Sequence, residues 1–376
     1  MAVEIRELKP NKRNIKKFTL FSTDMYKDNP YYVPDLLMDN YTTLNPAKNP
    51  ASEFCDSVLY MAYRDGKAVG RIAGIINRVV NERCNEKNVR FGFVDFIDDE
   101  EVSAALMGAV EAWGKSQGMT HIVGPLGFSD MDPEGMLVEG FDQEGTMATL
   151  YNHPYYPEHL EKLGFEKDTD WVEFRITVPD EIPEKMVRIC EIVKKKYNVH
   201  NVHFSNIKDL VKKYGQALFD IINEAYSQLY GYSPLTPRQI NHYISMYLPI
   251  LKLNNVSLIA DGDDNLVGVG IAMPSLSKGL IKSRGKLFPF GWIHLLKALK
   301  GKNNVVDLLL VAIKPEYQSK GINSLLFNDL IPNFRQNGYC YAESNPELDD
   351  NQRVQLQWQY FETVQHKRRR AFKKAL

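Results

Sequence analysis

Apolar and polar positions along the chain alternate in short runs and then change to helical spacing, and the change of period marks the elements. Ser57–Tyr63 (SVLYMAY), Ala68–Asn77 (AVGRIAGIIN) and Val89–Ile97 (VRFGFVDFI) read as strands. The first two are joined by RDGK, where Asp65-Gly66 signals a hairpin turn. Asp98 and Asp99 then stand at the start of a helical pattern, EEVSAALMGAVEAWGKSQG, and Gly118 ends it. A strand follows at His121–Leu126, a short helix at Pro154–Phe165 closed by Gly164, and a strand at Trp171–Val178.

After PDEIPEK (Pro179–Lys185) the order begins again. Helices are predicted over Leu210–Leu229 and over Thr236–Leu251, with Pro237 near the first turn of the second. Val256–Met273 reads as a hairpin turning at DGDDN, and Val305–Pro315 as an apolar strand. Then come a turn (EYQSKGIN, Glu316–Asn323), a helix to Gly338, the strand YCYAES, and a last helix over Asn351–Glu362. AYRDGKAVGRIAGI matches IADGDDNLVGVGIA, and FGFVDFIDDEEVSAALM matches VDLLLVAIKPEYQSKGINSLLF. The pattern therefore predicts two diverged copies of one α/β (α+β) domain, residues 1–180 and 181–376. Each would be a mixed, mainly antiparallel sheet flanked by helices.

The 376 residues, 44% apolar and 25% charged, suit a globular protein with two cores. A net charge of −1 gives no electrostatic reason to expect a specific nucleic acid. The four cysteines are far apart, without a CxxC pair, which suits reduced thiols in the cytoplasm. No apolar core of a signal peptide follows the N-terminus, and no run of 18 apolar residues exists. The C-terminal stretch HKRRRAFKKAL reads as a solvated tail, as a terminal strand, or as a surface for an acidic partner.

The turn before the second-half helix carries the candidate chemistry. A helix N-terminus offers unpaired N–H groups and a partial positive charge, and a glycine lets an anion approach the backbone. Gln318, Gly321 and Asn323 resemble the Gln/Arg-x-x-Gly-x-Gly/Ala loop of the GCN5-related N-acetyltransferases (GNAT), with Asn323 departing from the pattern. The order of elements around the loop is similar to that family over residues 200 to 376. The first half resembles it by element order and by YNHPYYPEHLEKLGF. RDGKAVGRIAGIINR and GPLGFSDMDPEGMLVEGF are similar to segments of a group of bacterial tandem GNAT-like proteins.

The resemblance implies an acyl-CoA-dependent N-acyltransferase that moves acetyl or a longer acyl group to a small-molecule or peptide amine. The backbone at Gln318, Ser319, Lys320, Gly321, Ile322, Asn323 and Ser324 would hold the coenzyme A pyrophosphate. Val311, Ala312 and Ile313 would pair with the pantetheine arm, and an amide near Val311 would meet the carbonyl oxygen. Asn345 would contact the cofactor, Tyr360 would protonate the departing thiolate, and Glu316 or Glu343 would serve as base. Packing and surface roles compete with each of these: Tyr360 reads equally as a half-buried aromatic, and both glutamates as solvated charges. The first-half turn, with Asp98, Asp99, Glu100 and Glu101, would repel a pyrophosphate, so that copy is expected to be degenerate. An aminoacyl-tRNA-dependent transferase and a non-enzymatic acyl-CoA sensor are the alternative readings.

Two further stretches stand out. Ser277–Lys302 interrupts the second copy and reads as a packed helix, a flap over a greasy substrate, or a membrane-surface helix. The loop Gly124–Gly145 places Asp130, Asp132 and Glu134 in alternation, but without calcium-loop spacing. His200 and His203 lack zinc partners at the right spacing, so no metal is expected. No hydrolase, Walker or dinucleotide motif appears.

Overall fold

A computed structural model describes residues 2–247 and 250–376. In chain order its elements are β1 (Glu4–Glu7), α1 (Lys12–Met25), α2 (Leu37–Thr43), β2 (Cys55–Arg64), β3 (Lys67–Asn77), α3 (Arg78–Cys84), β4 (Asn88–Phe96), α4 (Glu100–Ser116), β5 (His121–Gly124), β6 (Met136–Glu139), α5 (Tyr155–Lys162) and β7 (Glu166–Thr177). There follow α6 (Glu184–Tyr197), β8 (His200–Val202), α7 (Ile207–Ala225), α8 (Pro237–Tyr247), β9 (Val256–Ala260), β10 (Leu266–Pro274), α9 (Ser277–Ser283) and α10 (Gly291–Lys300). The chain ends with β11 (Val305–Ile313), α11 (Asn323–Gln336), β12 (Tyr341–Ser344), β13 (Glu347–Leu348), α12 (Gln352–Gln355) and β14 (Thr363–Ala375). The helix expected over Thr236–Leu251 runs into residues 248 and 249, which lie outside the described residues.

Two compact units emerge. The first comprises Met1–Val172, Leu276–Leu295 and His366–Leu376, and the second Glu173–Ser275 and Leu296–Gln365. This differs from a division of the chain near residue 180. The end of β14 completes the first unit's sheet by pairing with β5 (Phe372 opposite Gly124) and with β6 (Arg370 opposite Met136). The inserted segment is anchored there too, since Leu37 N–H donates to the Gly285 carbonyl.

The first unit's strands run β1-β2-β3-β4-β5-β14, and the second unit's run β7-β12-β11-β10-β9-β8. Each is mainly antiparallel with one parallel pair, β4 with β5 and β11 with β12. The hairpin at Asp65-Gly66 forms with both residues at positive φ, +53° and +76°, as a type I′ turn needs. In the first unit α4 packs Val102, Leu106 and Val110 onto Ile72, Phe91 and Phe96 of the sheet. In the second, α11 packs Leu325 and Leu326 onto Ile259 and Val267 on one side, and Phe327, Ile331 and Phe334 onto Ala272 and Val306 on the other.

The basic C-terminal stretch is strand, with charged side chains turned inward. Lys367 and Arg369 are buried beside Ala371 and Phe372. The Lys367 ammonium donates to the Glu144 carbonyl and the Arg369 guanidinium to the Leu150 carbonyl. Arg370 and Arg368 both reach the buried Asp170 carboxylate. The last predicted helix is broken. Only α12 is α-helical, and Leu356–Tyr360 tightens to a 3-10 turn that delivers Trp358 into the core.

Candidate active site

Both units share a defect in the strand that precedes the central helix. In β11, Ile271 and Ala272 of β10 face Leu310 and Leu308, so Leu309 is an extra, bulged residue. In β4 the corresponding shift lies opposite Ile72, and Phe93 takes φ +48°. The parallel pairing of β11 with β12 covers only Val305–Leu308 against Tyr341–Ser344. From Leu309 onward β11 therefore has an edge without a strand on that side. Asn345, directly after β12, turns its side-chain amide into this opening and donates to the Leu309 carbonyl at 2.7 Å.

The residues expected to line the opening are distributed as follows. The Val311 carbonyl accepts from the Tyr226 hydroxyl at 2.9 Å, so one main-chain acceptor there is already engaged. Ala312 is buried. The Ile313 carbonyl accepts from the Gln318 side-chain amide at 3.0 Å, which ties the start of the turn back to the strand. Ser319 (φ +58°) and Gly321 (φ +79°) are both left-handed, and a Cβ on Gly321 would lie 3.0 Å from Ile189.

α11 then begins with Ile322 at its cap position, no side-chain cap and no acidic residue in its first turn. Ser324 turns inward: its N–H and its hydroxyl both donate to the Gly321 carbonyl, at 3.0 and 2.7 Å. This removes Ser324 from the amides expected to face an anion. Among the described residues no protein acceptor takes the N–H groups of residues 319 to 323. Lys320 is exposed beside them, with its ammonium 5.1 Å from the Tyr197 ring centre and 5.5 Å from that of Tyr317. These are the features of a phosphate cradle, with donors, partial positive charge and one cation.

The same position in the first unit is closed. Asp99 caps α4 with its own carboxylate, accepting from the amides of Glu101 and Val102. Arg64 clamps Asp99 and also bonds Glu101 at 2.6 Å, and its hydrogen bond holds the Asp99 carboxyl below the usual range. The helix terminus is satisfied and negatively charged.

Of the residues expected to do acid–base work, Glu316 is exposed on the turn. Glu343 is buried and ion-paired with Arg175 across β12 and β7 at 2.8 Å. Tyr360 is half-buried against the core around Phe334 and Trp358, with the Lys185 ammonium 5.1 Å from its ring centre.

The carboxyl that stands out was not singled out by the sequence. Glu347, two residues after Asn345, accepts from the Trp358 indole at 3.0 and 3.2 Å through its two oxygens. Burial pushes its pKa up to about 8, against the opposing effect of the indole. Trp358 lines an apolar cavity of about 40 Å³ that also touches Leu308 and Val311 of the bulged strand. A carboxyl raised toward neutrality by burial is suited to proton abstraction from an amine.

The bulged strand and the helix after it are present in both units, the Gly-bearing turn only in the second, and the chain as a whole superposes on solved structures. A tandem GNAT protein from the clavulanic acid biosynthesis pathway superposes with a TM-score of 0.57, covering 100% of this chain and 98% of that one at 10% identity. A GCN5-related N-acetyltransferase from Sphaerobacter thermophilus gives 0.52, covering 99% and 95% at 12% identity. The chain has the tandem GNAT fold. No family model matches the sequence. Among curated proteins, this GNAT-fold chain is 29% identical to Protein YghO of Escherichia coli K12 over 327 residues, 86% of this chain and 82% of the relative. It is 26% identical to the bacterial ceramide synthase of Caulobacter vibrioides over 308 residues, 81% and 79% respectively. Among the described residues no group of three His, Cys, Asp or Glu could hold a metal, and no helix is long and apolar enough to cross a membrane.

Proposed function

We propose that the protein is an acyl-CoA-dependent N-acyltransferase whose second unit binds the donor. The observation that carries the proposal is the uncapped, acid-free N-terminus of α11 behind Ser319 and Gly321, set beside the splayed edge of β11. When bound, the acyl-CoA supplies a thioester carbonyl for attack by an amine. The amides of Gly321, Ile322 and Asn323, with Lys320, hold its pyrophosphate. The unpaired edge of β11 after Leu309 presents main-chain groups to the pantetheine arm. Glu347, deprotonated, accepts the proton that the amine loses as the amide forms. Tyr360 is the candidate donor to the departing sulfur.

The relative named a ceramide synthase supports a more specific reading. A ceramide is the amide of a fatty acid with a long-chain amino alcohol, so donor and acceptor here would both be lipids. The test is a thermal melt of the whole chain with acetyl-CoA and with a C16 acyl-CoA, followed by thiol release in the presence of sphinganine or a short polar amine. A ligand bound only by the native state adds about 2.7 kcal/mol of stability at roughly a hundred times its Kd. A shift with C16 acyl-CoA and thiol release with sphinganine support the lipid reading. A shift without thiol release for either amine would leave a sensor, and no shift with either donor would overturn the donor site.

A further inference from the structure

The segment between β10 and β11 carries a surface that the acyl-transfer chemistry does not use. Its base is built into the first unit. The Ser277 hydroxyl donates to the Gly145 carbonyl at 3.0 Å, and Leu37 N–H donates to the Gly285 carbonyl at 3.0 Å. Gly285 sits at φ +70°, and an added Cβ would lie 2.1 Å from the Asp35 carbonyl oxygen, so glycine is required for this approach. Beyond the base, KLFPFGW (Lys286–Trp292) folds over on itself. Trp292 N–H donates to the Leu287 carbonyl at 2.9 Å, its indole N–H to the Pro289 carbonyl at 3.2 Å, and Ile293 N–H to the Phe290 carbonyl at 3.1 Å.

This folded turn presents its rings outward. Phe288 is 76% exposed, Phe290 68% and Trp292 45%. Three aromatic rings exposed within five residues are apolar surface of the kind that marks an interaction site. Around them Lys278, Lys282, Arg284 and Lys286 are all exposed. Residues 276–295 contain no Asp or Glu. Arg284 lies 3.7 Å from Asp24, and that exposed pair leaves the positive sign of the patch intact.

We propose that this turn docks the protein on an anionic phospholipid surface, with Phe288, Phe290 and Trp292 in the interfacial layer and the four cations on headgroup phosphates. Aromatic rings favour the membrane–water interface, and lysines and arginines beside them reach the charged headgroups. An acidic protein would satisfy the cations equally well. It would also have to supply pockets for three projecting rings, whereas a bilayer receives them by deforming. The proposal stands on the patch alone and does not depend on the identity of the acyl donor.

The experiment is flotation of the full chain with vesicles of phosphatidylcholine alone and of phosphatidylcholine with 30% phosphatidylglycerol. Binding is expected on the anionic vesicles, weakening at least tenfold on neutral ones and as salt is raised. Replacing Phe288 and Phe290 together by Ser should lower partitioning at least tenfold with an unchanged melt, because both side chains are already in water. Lys282→Glu with Lys286→Glu should do the same on anionic vesicles only. Vesicles should blue-shift the emission of wild type but not of Trp292→Phe. No flotation, or equal flotation of the Ser variant, would overturn the proposal. So would binding to a polyglutamate column without binding to vesicles, which would point to an acidic protein partner.

Discussion

The donor site can be tested at one residue where stability and binding are expected to move in opposite directions. Asn323 is the first residue of α11, whose first turn has no acid and no side-chain cap. Asn323→Asp places a carboxylate where the helix dipole favours one, which should stabilise the free protein by about 0.3–1 kcal/mol. That corresponds to an apparent Tm rise of about 1–4 °C in a unit of this size. The same carboxylate would face the donor's pyrophosphate. Two unit charges roughly 6 Å apart repel by about 0.7 kcal/mol in water-like surroundings and about 2.8 kcal/mol at an effective dielectric constant of 20. The expected loss is therefore about 3- to 100-fold in acyl-CoA affinity, shrinking as salt is raised. Calorimetric titration of acyl-CoA into wild type, Asn323→Asp and Asn323→Ala measures it. The Ala variant should bind within about threefold of wild type, because it adds no charge. Turnover of an acyl thioester truncated before the phosphates should be equal in wild type and the Asp variant. If the Asp variant binds acyl-CoA as tightly as wild type, or if the truncated thioester loses turnover equally, the phosphate does not sit on α11 and the donor site is misplaced.

Substitutions at three other places probe the rest of the argument. Glu347 has a folded pKa raised by burial to about 8, so the native state holds this proton while the unfolded chain has lost it. Stability should fall as pH rises from about 4.5 to about 8, and Glu347→Gln should flatten that slope, read from melts across the range. The same variant should lose the alkaline-rising limb of kcat/KM and about 100-fold in rate, with donor affinity retained. Asp170 is opposed by burial, but Arg370 and Lys167 outweigh it and hold its carboxyl at about 2. Its contribution, roughly 2 kcal/mol, is present above pH about 4 and lost as pH falls toward 2. Asp170→Asn should cost about 3 kcal/mol at pH 7 by stranding Arg368 and Arg370, measured by urea unfolding. Arg71 and Asp95 form a buried pair at 2.7 Å in the first unit, with the Tyr26 hydroxyl on the second oxygen of Asp95. Arg71→Met should destabilise by about 3–5 kcal/mol, and adding Asp95→Leu should recover most of that loss in the same urea assay.

Legibility tracked the range of the interaction. The hairpin at Asp65-Gly66, the Asp99 cap and the glycines that end α4, α5 and α11 are local devices, and each is written within a few residues. The bulges are not. Leu309 and Phe93 sit in runs that read as regular strands, and only their register against the neighbouring strand shows the extra residue. Glu347 lay in a stretch read for Asn345, but its elevated pKa depends on burial and on Trp358 eleven residues later. The C-terminal strand was obscured by residue type rather than by distance. Lys367, Arg369 and Ala371 keep the two-residue period of a half-buried strand, and side chains that signal water turn inward onto main-chain carbonyls.

The two copies show how little of a fold decides whether it can hold an anion. Both keep the bulge, the parallel pair and a helix closed by glycine, features set by packing across the sheet. They differ at three or four residues where the helix begins. In α4 the free amides are taken by Asp99, with Glu100 and Glu101 behind it and Arg64 compensating them. In α11 the amides are left to solvent, Lys320 stands before them, and Ser324 supports the turn from behind. A carboxylate cap stabilises a helix start, so leaving α11 without one forgoes about 1 kcal/mol. A terminus held open at that cost, beside the unpaired edge of β11 and in the unit where burial raises the Glu347 carboxyl to about 8, is better explained by a ligand than by the fold.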